Sequence, residues 1–182
     1  MIEMPELERK FCETDKELTV INGTRIEGYA SLFERPDNGG DVVSRGAYAR
    51  CLRDLARSGR TVKMLWQHDP REPIGVWDEV VEDDLGLHVR GRLLAEVVRA
   101  REAAVLIEAG AIDGLSIGYR TRRSQRDKQG RRCLSELELW EVSLVTFPML
   151  ADARVDAKRQ DADTLHELAL AIEDARQMIA GI

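Results

Sequence analysis

The sequence predicts an α+β fold: a mostly antiparallel β-sheet or barrel with flanking helices. Three observations predict it. Short apolar runs, several of them strictly alternating, recur along the chain and are separated by clusters of Gly, Pro, Asn and Asp. Only two stretches of the body, and a third in the tail, carry helical spacing. The chain has 182 residues, 43% of them hydrophobic, enough for one domain with a real core.

The elements follow in order. After a charged start, Leu18, Val20 and Ile21 make a first short strand. Arg25 to Phe33 sets Ile26, Gly28, Ala30 and Leu32 against Glu27, Tyr29, Ser31 and Phe33, a period of two. Arg35-Pro36-Asp37-Asn38-Gly39-Gly40-Asp41 is a dense turn signal, built from residues that fix or free φ. Tyr48, Cys51, Leu52 and Leu55 recur at helical spacing, with Gly59 as the stop. Val62 to Gln67 reads as a buried strand with His68 at or just past its end, and Pro70 to Pro73 as a turn or extended loop. Ile74 to Glu82 and Leu87 to Leu94 form two strands joined through Asp83-Asp84-Leu85-Gly86. Ala95 to Ala109 is a helix closed by Gly110, after which Ala111 to Gly114 turns the chain into a strand bearing Ser116. Arg120 to Arg132 is strongly basic and fits either an exposed hairpin or an anion-binding patch. Cys133 to Phe147 is the longest strand signal, and Pro148 ends it.

The tail differs in character. Asp152 to Gln160 is a polar linker, and Leu165, Leu168, Ile172, Ala175 and Ile179 then lay an apolar seam along one helix face. The chain thus divides into a body over 1–155 and a helical tail over 156–182. The tail either docks on the body or packs in a homodimer or against a partner protein.

Composition excludes several classes. No run of about 18 apolar residues exists, so no membrane span is expected, and the acidic N-terminus lacks the basic and apolar regions of a signal peptide. Cys12, Cys51 and Cys133 are odd in number and widely spaced, which fits a reducing cytoplasm better than a disulfide framework. A net charge of −6 argues against general nucleic-acid binding. Neither HExxH nor a comparable ligand spacing appears, so neither a metal nor another cofactor is expected.

The candidate chemistry is acyl transfer. A serine hydroxyl attacks well only when a base takes its proton; histidine suits that task, and a carboxylate best fixes the histidine's tautomer. Ser116 lies between Gly114 and Gly118, and Glu141 sits in the apolar run Trp140-Glu141-Val142-Ser143-Leu144-Val145, where a carboxylate needs a partner. His88 belongs on the solvent face of its strand and His166 on the surface of the tail helix, which leaves His68 as the base. Residue chemistry alone also allows an ordinary strand serine and a His68 bonded to Asp69 or to backbone. A nucleophile elbow is absent, because no helix pattern follows Ser116.

The order of motifs carries a resemblance. Gln67-His68-Asp69, then Gly114-Leu115-Ser116-Ile117-Gly118-Tyr119, then Leu139-Trp140-Glu141-Val142-Ser143-Leu144-Val145-Thr146-Phe147-Pro148 resembles the prohead maturation proteases of tailed bacteriophages, prophages and gene-transfer agents. Gly28 to Phe33, Asp41-Val42-Val43 and Gly46-Ala47-Tyr48 are similar to that family's N-terminal block, so the resemblance covers roughly 20–155. It implies a herpesvirus-assembly-protease-like fold. It also implies a serine endopeptidase with Ser116 as nucleophile, His68 as base and Glu141, in preference to Glu136 or Glu138, as the orienting acid. The implied substrates are the major capsid protein precursor and scaffold, cut inside the procapsid in the host bacterial cytoplasm. The competing expectation is a non-catalytic capsid assembly module of the same fold.

Overall fold

The computed structural model describes residues 7–11, 19–21, 24–37 and 39–146. The tail helix expected after residue 156, His166 and the Pro148 strand stop lie outside the described residues.

Alternation of apolar and polar residues builds most of the sheet. Strands β1 (Glu8–Phe11), β2 (Thr19–Ile21) and β3 (Arg25–Leu32) precede a two-residue strand β4 (Val42–Val43) and helix α1 (Ala49–Ser58). Then come β5 (Lys63–Trp66), β6 (Asp69–Glu82), β7 (Gly86–Leu93), helix α2 (Val98–Glu108), β8 (Gly114–Arg126) and β9 (Arg132–Val145). They form one sheet in the order β1-β8-β9-β5-β6-β7-β3-β2, with β4 beside β9. Pairings are antiparallel except β4–β9 and β5–β9. The α+β class expected from the sequence is the one observed.

One sheet face and the two helices enclose the core. Ile26, Met64, Ile117, Tyr119, Val142 and Leu144 are almost wholly buried there, each such side chain contributing about 1.5–3 kcal/mol. In α1, Cys51 faces β9, its thiol accepting the Leu139 N–H at 3.2 Å, and Gly59 ends the helix at φ 65° as the stop signal implied. Asp83 caps the β6–β7 turn, its Oδ1 accepting the Leu85 and Gly86 N–H groups at 2.7 and 2.9 Å. No described helix is long and apolar enough to cross a membrane.

One expected boundary is wrong. Pro70 to Pro73 is not a separate loop but the start of β6. Its register against β5 shifts twice, with Leu65 opposite Pro73 and Trp66 opposite Asp69. Irregular pairing is where a strand tolerates prolines, because no ladder N–H is asked of them there. The basic stretch is the exposed β8–β9 hairpin, where Arg122 pairs with Glu138 and Arg131 with Asp127.

Candidate active site

His68 sits in a strained turn. Trp66 and Asp69 pair across the hairpin, so Gln67 and His68 alone connect β5 to β6. Both have positive φ, 52° and 62°, the signature of a type I′ turn, which ordinarily takes Asn-Gly. Two residues with bulky side chains in that region cost on the order of 1–3 kcal/mol each and persist only where the surroundings fix them. Here β9 and the residue after it do the fixing. The Gln67 N–H donates to Leu144 O at 2.9 Å, and the Gln67 side chain donates to Thr146 Oγ1 at 2.6 Å and accepts the Thr146 N–H at 3.4 Å. The His68 N–H donates to Ser143 Oγ at 3.2 Å.

Glu141 meets the imidazole. His68 Nδ1 and Glu141 Oε1 are 2.5 Å apart, and the two side chains are only 5% and 6% exposed. Ser143 donates its hydroxyl to Glu141 Oε2, also at 2.5 Å. Both carboxylate oxygens are therefore satisfied, which is what allows a charge to stay buried in this apolar strand. An ionised carboxylate only accepts, so the hydrogen of the pair belongs to Nδ1, leaving Nε2 as the basic nitrogen.

Register brings Ser116 to the same place. Opposed residues of an antiparallel pair share a face, as do residues two apart on a strand. Ser116 opposes Ser143 and Gly118 opposes Glu141, so all four line one face, with His68 attached through Glu141. Ser116 itself has no exposed surface. Gly118 leaves room for the carboxylate: a Cβ there would lie 2.1 Å from Glu141 Oε1.

The alternatives go elsewhere. Glu138 pairs with Arg122, and Glu136 with Arg50 at 3.1 Å. Asp69, which could have competed for His68, is held by Arg71 at 2.8 Å, and its carboxyl pKa is pulled down to about 2 by those hydrogen bonds. His88 lies 3.3 Å from Glu27 and packs edge-on against Tyr29, on a distant pair of strands. Arg120 stacks over Trp140 at 5.2 Å. No group of three or more His, Cys, Asp or Glu among the described residues is arranged to hold a metal ion.

Comparison with known proteins decides the family. The family model of the caudovirus prohead serine protease matches residues 12–167. The chain belongs to that family. It is 33% identical over 162 residues to the prohead protease of Enterobacteria phage HK97, a match covering 86% of this chain and 71% of that protein. It is 32% identical over 139 residues to the capsid polyprotein of Pseudomonas phage PAJU2, covering 71% of this chain and 19% of the polyprotein. The capsid assembly protease gp21 of bacteriophage T4 superposes with a TM-score of 0.61 at 14% identity, over 77% of this chain and 97% of that one. At that identity the likeness is one of fold. Membership of that family makes the chain a serine protease of capsid maturation.

Two residues of the site carry roles that sequence reasoning did not assign. Ser143 bridges the His68 backbone and the Glu141 carboxylate, and Gly118 makes space for that carboxylate. Their signal was a period of two: Glu141 with Ser143 and Ser116 with Gly118 fall on matching strand faces.

Proposed function

We propose that this prohead protease cleaves the major capsid protein precursor and scaffold within the procapsid, with Ser116 as nucleophile, His68 as base and Glu141 as orienting acid. The observation that carries the reading is the buried His68–Glu141 contact of 2.5 Å on the strand face that Ser116 shares. Relatives named as a prohead protease and a capsid polyprotein support a capsid protein as substrate. The chain divides, on this reading, into a protease domain over 1–155 and a tail over 156–182.

On this reading the steps are those of a serine–histidine–acid site. Ser116 Oγ attacks the scissile carbonyl carbon while its proton passes to His68 Nε2. Glu141 holds the Nδ1–H and stabilises the imidazolium that results. The tetrahedral intermediate collapses as His68 returns the proton to the leaving amine. A water activated by the same imidazole then hydrolyses the acyl-enzyme.

Ser116→Ala is expected to lower processing of a co-expressed capsid precursor on the order of 10⁶-fold while the protein stays folded. A serine-directed fluorophosphonate should modify Ser116 in the parent. Unchanged precursor cleavage by the variant would falsify the assignment.

A further inference from the structure

We infer that the edge of β8 from Ser116 to Thr121 is the docking strand for the substrate, that β1 holds its place in this chain, and that Arg132 reads an acidic side chain on the peptide that docks there. The inference rests on Ser116 being the nucleophile. An endopeptidase must lay an extended peptide beside its nucleophile, and a sheet edge offers the hydrogen-bonding groups for one added strand. Among the described strands, β8 has β9 on one side and β1 on the other. β1 runs antiparallel to it, with Glu8 opposite Tyr119 and Phe11 opposite Ser116. Ser116 has no exposed surface, so an element must give way before a peptide bond reaches its hydroxyl. β1 is short, lies at the end of the sheet and stands in register with that residue; short edge elements are the first to open.

The far end of β1 is held by its acid. Glu8 Oε1 accepts the Thr121 N–H at 3.1 Å, and Glu8 Oε2 accepts from Arg132 Nη1 at 2.7 Å. Arg132 is itself aimed by Asp41 Oδ2 at 3.0 Å and Thr121 Oγ1 at 2.9 Å, contacts that do not involve β1. Burial works against the charge on Glu8, but the bonds from Arg132 and Thr121 outweigh it and lower its pKa, while Glu8 raises that of Arg132. A peptide aligned as β1 is aligned therefore presents to this guanidinium the residue three positions before the one opposite Ser116.

The test uses the full chain. In Glu8→Lys, amide exchange at 117–121 should quicken about fivefold or more, because the ion pair becomes a repulsion. Adding Arg132→Glu should restore the parent rate. A fluorescent peptide of sequence 6–14 should then bind Glu8→Lys better than the parent and slow fluorophosphonate labelling of Ser116. The same peptide with Lys in place of its Glu8 should bind Glu8→Lys weakly, and should be the preferred form for Glu8→Lys/Arg132→Glu. Unchanged exchange in Glu8→Lys overturns the latch. Peptide binding that leaves labelling untouched, or that ignores the charge at 132, overturns the docking strand. These readouts do not need turnover, so a Ser116→Ala variant that still cleaves precursor sinks the proposed nucleophile without being mistaken for either result.

Discussion

Gly118→Ala tests whether the His68–Glu141 contact drives turnover. The added Cβ would meet Glu141 Oε1 at 2.1 Å, Cδ at 2.8 Å and Cγ at 2.9 Å. Real Cβ contacts essentially never fall below 3.0 Å, so the carboxylate must retreat by about 0.9 Å or the strands must part. The contact with His68 is 2.5 Å, and a retreat of that size takes it past the range of a good hydrogen bond. Overpacking of this kind costs about 1–3 kcal/mol of stability, which a well-formed core can absorb. Misplacing a positioned group by about 1 Å costs roughly 10²-fold in rate. The measurement is the rate at which purified Gly118→Ala processes capsid precursor, beside its thermal midpoint and near-UV circular dichroism. Expected are a folded protein, a midpoint a few degrees lower, and processing slowed by at least that factor. A folded variant that processes at the parental rate would refute the idea that this carboxylate positions the base.

Three further outcomes are expected. Glu141→Gln should lose most processing, on the order of 10³-fold or more, while Glu138→Gln, whose partner is the exposed Arg122, should process normally; the reverse pattern in the same assay moves the acid to 138. Ser143→Ala strands a buried carboxylate oxygen and the His68 N–H, a loss of about 1–3 kcal/mol; kcat should fall about tenfold or more at nearly constant KM, with Ser143→Thr recovering part of it, and an unchanged kcat sinks the bridging role. The lowered Glu8 pKa means that the attachment of β1 is fully present above the ordinary value of 4.5 and fades as pH falls through the lowered one. Amide exchange at 117–121, corrected for its intrinsic pH dependence, should therefore rise in acid for the parent and show no such step in Glu8→Gln.

The strands and helices of the body were legible because periodicity is local. Ile26 to Leu32, Ile74 to Glu82 and the α1 face each declare themselves within one window. What escaped depends on partners far along the chain. Val42–Val43 is too short to read as a strand and exists because β9 pairs with it. Pro70 and Pro73 mark a loop to any local rule, yet the register shifts against β5 make room for them within β6. The charged N-terminal residues gave no strand signal, since β1 is fixed by β8 and by Arg132. At the site, the residue types of Ser116, His68 and Glu141 could be read from chemistry and motif order. Gly118 could be read only as a turn or bulge position; a register shift does begin there, but its closest neighbour is a carboxylate on another strand.

The turn at Gln67 and His68 also bears on when the site can exist. The β9 side of that turn's support, the bonds to the Gln67 and His68 backbone and to the Gln67 side chain, comes from the short run Ser143 to Thr146. A chain that has emerged only through β8 already carries Ser116, His68 and the β5–β6 hairpin, but not the β9 groups that bond the turn. The pairing that brings those groups is parallel and closes a long loop, a slow class of contact to form. On the proposed assignment the site is therefore completed only when β9, the last of the described strands in chain order, has paired.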